Sequence, residues 1–341
     1  MKEELKIPIP KYPWPHLPSP LTFTFDEMEK QWIQEDYAYM GPESVKRYIN
    51  QNIIKVAPYM SATTTNTDLL IPICRFLLYE TYFDDYVEIM PLEEVAALRD
   101  RAFEVMTGDN VRPDEIGMFR QMELARKEWI ANGMPQFWIE RMAKGFWEFI
   151  TYGIMEETHF KLTQTYPTLA RYLLIRSHSI GQLAYGNMID PALGSALPEH
   201  IHKHPAIQRV MFLHSIIIGI QNDFASIRKE MATENENFNI ILLLHHTHHL
   251  SLEDALIKAM AIHDDFVAEL EDISQCLPDF GSYQKEAENY VYHAKLMITG
   301  LNEWYYSSGT KRYAPEGFAT PKYGVQGEKP LDFEVKHIRQ D

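Results

Sequence analysis

Val210-Met211-Phe212-Leu213-His214-Ser215-Ile216-Ile217-Ile218-Gly219-Ile220 is the stretch that decides the fold. It is apolar on more than one side of a helix, and such a helix lies at the centre of a helical bundle rather than on its rim. Working outward, apolar residues recur at three- and four-residue intervals in most of the chain. The pattern predicts helices near 25–39, 42–56, 66–90, 91–107, 113–131, 134–164, 167–186, 206–231, 238–247, 251–277 and 281–308. Breakers separate them: Pro91, Gly108-Asp109-Asn110, Asn132-Gly133 and Pro278-Asp279-Phe280-Gly281. No alternating strand pattern of useful length is visible, and no internal repeat. The expected fold class is therefore all-α, with one large domain over 25–313. Before it, residues 1–24 hold Pro8, Pro10, Pro13, Pro15, Pro18 and Pro20 around Tyr12 and Trp14, a spacing that forbids helix and predicts an extended strap pinned by its aromatics. After it, residues 314–341, rich in Pro, Gly and charge, read as a loosely ordered tail.

Composition narrows the function. Acidic residues outnumber basic ones by 48 to 32 over 341 residues, which argues against a nucleic-acid partner, since phosphate backbones are bound by clustered Lys and Arg. Two cysteines, Cys74 and Cys276, build neither a disulfide framework nor a thiolate metal site. The beginning of the chain has no long apolar core, and no uninterrupted apolar run is long enough to span a bilayer. These features predict a cytoplasmic protein.

Two polar columns interrupt the greasy pattern. The first is Phe83-Asp84-Asp85-Tyr86-Val87-Glu88, at the end of a run in which Ile73, Phe76, Leu77, Phe83, Val87 and Met90 keep helical spacing. Asp84 and Glu88 lie one turn apart on one face. Carboxylates so close repel one another and are costly to bury, so water or a divalent cation is expected in front of them. The second column follows the central apolar stretch: Asn222, Ser226 and Glu230 are spaced by four and four and share one helix face. An amide oxygen, a hydroxyl and a carboxylate in a column can chelate one cation, and oxygen-only ligation suits Mg²⁺. Two such columns in one apolar bundle imply a diphosphate bridged by metal, attached to a hydrocarbon held in the core.

This pairing resembles the class I terpene synthases, in particular the single-domain microbial type, whose first motif is Asp-Asp-x-x-(Asp/Glu) and whose second is Asn-Asp-x-x-Ser-x-x-x-Glu. The chain matches both, and the 138 residues from Asp84 to Asn222 are similar to the family's separation. The resemblance covers about residues 60 to 313. It implies a helical bundle with a central active-site cavity and three Mg²⁺ ions held by Asp84, Asp85, Asn222, Ser226 and Glu230, with Glu88 a longer-armed candidate ligand. It also implies a diphosphate-sensing Arg 46 residues before Asn222, which falls on Arg176, on a helix that breaks near Gly181 and whose carbonyl triggers ionisation. The family's terminal Arg-Tyr pair falls on Arg312-Tyr313, and a basic residue beside the second motif on Lys229. With Arg176, these would bind the diphosphate of a linear isoprenoid, farnesyl diphosphate first and geranylgeranyl diphosphate second. Aromatic faces would stabilise the carbocation, the candidates being Phe76, Tyr79, Phe83, Phe149, Tyr152, Phe212 and Trp304. An antiparallel homodimer is common in the family.

Other features are weighed against this reading. Asp264-Asp265 with Glu269 suggests a prenyl-chain-elongating enzyme with two Asp-rich motifs, but the Asn-Ser-Glu column already takes the second metal position, and the pair reads as a solvated face. His245 and His249 stand at zinc-like spacing without the accompanying Glu of a zinc hydrolase, and read as a polar helix end. A helical protein that binds an isoprenoid without turnover is the non-enzymatic rival.

Overall fold

The computed structural model describes residues 3–21, 25–88, 90–232, 237–313 and 333–339. The helices run α1 (Asp26–Asp36), α2 (Pro42–Ile49), α3 (Val56–Met60), α4 (Thr67–Val87), α5 (Leu92–Thr107) and α6 (Met118–Ala131). Then come α7 (Gln136–Glu148), α8 (Met155–Thr163), α9 (Leu169–Ser179), α10 (Gln182–Tyr185), α11 (Ile189–Leu193) and α12 (Glu199–His202). The chain continues through α13 (Pro205–Met231), α14 (Ile240–Thr247), α15 (Leu252–Gln275) and α16 (Gln284–Ser307). Two short strands, β1 (Glu3–Pro8) and β2 (Phe333–Ile338), pair in parallel. The architecture is an all-α bundle.

The central stretch forms the middle of α13, which starts where the His204 side chain accepts the Ala206 N–H and Pro205 opens the first turn. Around it pack α9, α10, α14, α15 and α16. By length and composition α13 would pass for a membrane span, which the sequence reading did not anticipate, but 89% of its most apolar window is buried inside the fold. One apolar cluster joins α4, α6, α7, α13 and α16, and a second joins α9, α13, α14 and α15. The two share α13, which is why it is greasy on several sides.

Two features differ from the sequence reading, each for a local reason, while the break near Gly181 that the resemblance implied is present. Instead of one helix over 134–164, a π-helical turn at Phe149–Ile154 joins α7 to α8. Within it Gly153 lies so close to α9 that an added Cβ would stand 2.6 Å from the Ser179 backbone. The stretch 167–186 breaks into α9 and α10 at Gly181, whose φ of +78° only glycine adopts without strain. The chain also contains strands: Leu5 and Ile7 are buried in the second cluster while Lys6 is exposed, so β1 packs as an edge against the bundle. Its partner β2 comes from the stretch expected to be loosely ordered, and His337 Nε2 lies 2.8 Å from the Phe224 carbonyl oxygen of α13. The remainder of that tail, 314–332 and 340–341, lies outside the described residues.

The Pro-rich strap runs extended over the bundle. Gln221 of α13 donates to Tyr12 Oη at 2.7 Å, His263 Nε2 lies 3.0 Å from the same oxygen, and Trp14 Nε1 donates to Glu271 at 2.5 Å. Its aromatics thus serve as anchors.

Candidate active site

Asp84 and Asp85 end α4, which is capped at its start by Asn66 accepting the Asp68 N–H at 3.0 Å. Asn222, Ser226 and Glu230 descend α13 opposite. Both sets line one cavity of about 170 Å³, together with Glu80, Glu88, Glu157, Lys161, Arg176, Lys229, Arg312 and Tyr313. The two columns, separated by 138 residues in sequence, therefore face each other across a single space.

The cationic groups are already positioned by partners. Arg312 meets Asp85 with both prongs of its fork, Nη1 to Oδ2 at 3.0 Å and Nη2 to Oδ1 at 2.8 Å, and also donates to Gln51 Oε1 at 3.0 Å. Arg176 donates to Asn222 Oδ1 at 2.8 Å and forms an ion pair with the fully buried Asp223 at 2.8 Å. Gly219 makes this possible, because an added Cβ there would stand 3.1 Å from Arg176 Cγ. Asp223 also accepts the Ile240 N–H at 2.9 Å and the Tyr172 hydroxyl, tying α9, α13 and α14 together behind the arginine. The Arg176 Nε–H is buried and has no hydrogen-bond partner among the described residues, on a side chain that lines the cavity. Asn222 Nδ2 lies 3.0 Å from the hydroxyls of both Tyr305 and Tyr313, which carries the end of α16 onto the second column.

Glu88 is held differently from Asp84. Its Oε1 accepts from Lys161 Nζ at 3.1 Å, and Lys161 is braced by Glu157 at 2.9 Å one turn earlier on α8. Asp84 makes no such ion pair among the described residues; burial first, then repulsion from Glu88 and Asp85, pushes its pKa up to about 7. Glu230 is raised by burial as well, with Lys229 pulling it back, and accepts from Asn239 Nδ2 at 2.5 Å. Among the described residues no three Asp, Glu, His or Cys side chains are gathered closely enough to hold a metal by themselves. The donor set instead mixes carboxylates with an amide and a hydroxyl, all oxygen, which suits Mg²⁺ completed by water and phosphate oxygens. Asp84, raised by burial and then by its acidic neighbours, is the group a divalent cation would relieve.

Of the aromatic candidates, Phe149 and Trp304 line the cavity, and so does Phe238, which the sequence reading missed. Phe76, Tyr79 and Phe83 do not. They are fully buried behind the wall, packed edge-on or tilted against Phe146 at ring distances of 6.0, 5.2 and 5.3 Å. Tyr152 is corrected outright: it is 47% exposed and sits between Trp147 and His178 on the outer face of the π-helical turn. Phe212 lies under the Arg209 guanidinium, away from the cavity lining. Gly181 needs a correction of role. Its carbonyl oxygen accepts the N–H groups of Ala184 and Tyr185, both at 3.0 Å, and so is consumed by the first turn of α10; Ser179, Ile180 and Gln182 around it line the cavity instead.

The decoys stay outside. Glu269 is clamped by Arg209 at 2.6 and 2.7 Å and Asp264 is exposed; neither lines the cavity. His245 closes the end of α14 against the Leu250 carbonyl at 2.7 Å. Missed by sequence were Glu80, Glu157, Lys161, Tyr305 and Gln51. Glu80 was within reach, since it stands one turn before Asp84 on the same face.

An acidic helix and an oxygen column lining one cavity of a helical bundle, with Arg176 and Arg312 in the same lining, are the site of a class I terpene synthase of the microbial type. A family model described as terpene synthase family 2, C-terminal metal binding, matches residues 75–269, and the chain belongs to that family. Pristinol synthase of Streptomyces pristinaespiralis is 22% identical, with 94% of this chain and 87% of that protein aligned. The 10-epi-cubebol synthase of Sorangium cellulosum is 25% identical over 71% of this chain and 77% of its own length. Among solved structures, hedycaryol synthase in complex with HEPES superposes with a TM-score of 0.74 at 17% identity, covering 89% of this chain and 99% of that one. The SVS_A2 protein from ancestral sequence reconstruction gives a TM-score of 0.75 at 17% identity, covering 86% of this chain and 88% of its own, and one of its variants gives 0.77 at 18% identity, covering 88% and 89%.

Proposed function

We propose that the protein is a Mg²⁺-dependent cyclase that ionises farnesyl diphosphate and releases a cyclic sesquiterpene and diphosphate. The observation that carries this reading is the pairing of Asp84 with the Asn222, Ser226, Glu230 column across one cavity, which Arg176 also lines. The fifteen-carbon substrate is supported by relatives such as the (+)-T-muurolol synthase of Roseiflexus castenholzii, named for cyclising farnesyl diphosphate, 25% identical over 66% of this chain.

Asp84, Asn222, Ser226 and Glu230 would hold three Mg²⁺ ions together with diphosphate oxygens and water. Bound there, the metal supplies Lewis-acid neutralisation of the leaving group. Arg176, Lys229, Arg312 and Tyr313 bind and orient the diphosphate, donating to oxygens whose charge grows as the carbon–oxygen bond breaks. Phe149, Phe238 and Trp304 offer ring faces to the allyl cation, and the cavity wall sets its fold. Asp85 and Gln51 keep the Arg312 segment at the mouth, where it excludes water.

The test is incubation with geranyl, farnesyl, geranylgeranyl and geranylfarnesyl diphosphates, each with Mg²⁺ or EDTA, followed by gas chromatography. The expected result is one dominant cyclic fifteen-carbon product, lost with EDTA. Longer prenyl diphosphates on addition of isopentenyl diphosphate would instead mean chain elongation.

A further inference from the structure

Glu80 has no role in the chemistry above, yet it is 6% exposed, lines the cavity, and forms no ion pair among the described residues. Its Oε1 is buried without a hydrogen-bond partner among the described residues. It reaches the point where α9 breaks: a Cβ on Gly181 would stand 2.8 Å from that oxygen, so the left-handed glycine leaves the room the carboxyl takes. Within two residues of Gly181, the Ser179 hydroxyl is likewise buried and without a hydrogen-bond partner among the described residues, on a residue that lines the cavity. Gln182, whose Oε1 lies 3.3 Å from His214 Nε2, follows Gly181 and lines the same cavity, to which Leu77, Phe149, Ile180, Leu301 and Trp304 add apolar surface.

A wall meant only to shape a hydrocarbon cation gains nothing from unpartnered buried polar atoms, which are costly unless something fills them. Water can occupy a buried site when two to four polar groups converge on it. A protonated carboxyl offers both a donor and an acceptor, and burial favours that neutral form. Such a group can hold a water molecule without itself capturing the cation.

We propose that Glu80, Ser179 and Gln182 position one water molecule against the final carbocation, so that the enzyme ends its cascade by hydration and releases a cyclic terpene alcohol. The inference rests on the cyclase reading above. The water donates hydrogen bonds to the acceptors of these side chains and turns a lone pair toward the cation. One carbon–oxygen bond forms from that pair, and the resulting oxonium loses a proton to the released diphosphate, the strongest base in the cavity. No oxidant or reductant is needed.

The experiment is turnover of farnesyl diphosphate with Mg²⁺ in H₂¹⁸O, reading diphosphate release and the mass of each product. The expected wild-type product is a cyclic alcohol carrying one ¹⁸O; a hydrocarbon alone, or an alcohol without label, overturns the proposal. Glu80→Leu should lower the alcohol share of total product by roughly fivefold, the scale of one lost hydrogen bond, and Glu80→Gln should retain it. The share is a ratio and does not depend on how much of the variant is folded. If Glu80→Leu yields no protein, Ser179→Ala carries the same expectation, and an unchanged share in either variant overturns the proposal. Absence of diphosphate release from every prenyl diphosphate by the wild type would overturn the cyclase reading itself, and this inference with it.

Discussion

At the residue scale, the three acids of the first motif have separate partners. Asp84 faces the cavity without an ion pair among the described residues, Asp85 is clasped by Arg312, and Glu88 by Lys161. Substitutions at these positions are therefore expected to differ in kind. Asp84→Asn should lower the rate of diphosphate release on the order of a thousandfold, as loss of a group acting on the developing charge does, and raise the Mg²⁺ concentration needed for half-maximal rate. Glu88→Gln should cost less than roughly tenfold, the scale of one charge-assisted hydrogen bond, with its Mg²⁺ requirement close to wild type. Equal losses in the two would show that Glu88 ligates metal directly. Arg312→Lys keeps the charge and loses the two-pronged grip on Asp85, and is expected to reduce kcat/KM by about ten- to a hundredfold.

Elements set the site's shape where two helices depart from regularity side by side. The π-helical turn at Phe149–Ile154 and the break after α9 touch through Gly153, whose missing Cβ lets the Ser179 backbone approach. Gly153→Ala should fold but displace the broken end of α9, and with it Arg176 at its last turn. A shift of that size at reacting groups costs on the order of a hundredfold, so kcat should fall by about that factor while circular dichroism stays helical. A similar contact at Gly300, where a Cβ would stand 2.0 Å from the Tyr59 carbonyl oxygen, fixes α16 against α3. Gly300→Ala should therefore lower Tm, by an overpacking cost of about 1–3 kcal/mol.

For the whole molecule, Glu29 links the start of the helical domain to pH. It is 3% exposed, and its Oε1 accepts the N–H groups of Ile53 and Ile54 at 2.7 and 3.3 Å. Burial pushes its pKa from 4.5 up to about 7, against the pull of those two bonds and of Lys55. A carboxyl raised in the folded state gives stability that is complete below the unfolded value and lost as pH climbs through the folded one. Between pH 4.5 and 7 this amounts to about 3 kcal/mol at the upper limit. Glu29→Gln removes the titration, so its Tm relative to wild type should rise from pH 5 to pH 8; a constant difference would refute the assignment.

The helical class, the length of most elements and both polar columns were legible because they depend on spacing within one helix, and a period of 3.6 residues is written in the chain itself. Asn222, Ser226 and Glu230 share a face whatever surrounds them. The spacing of Arg176 and Arg312 from the second motif was legible too, through resemblance. What tertiary structure alone decided was which neighbour each group meets. Lys161 belongs to Glu88 because α8 is turned by a π-helical insertion that no residue pattern announces, and Tyr152 is thrown outward by the same turn. Phe76, Tyr79 and Phe83 sit behind the cavity wall because aromatic side chains on one helical period look alike whether they line a space or fill it. The pairing of Leu5 and Ile7 with a strand more than three hundred residues away depends on a long-range contact that local periodicity does not encode.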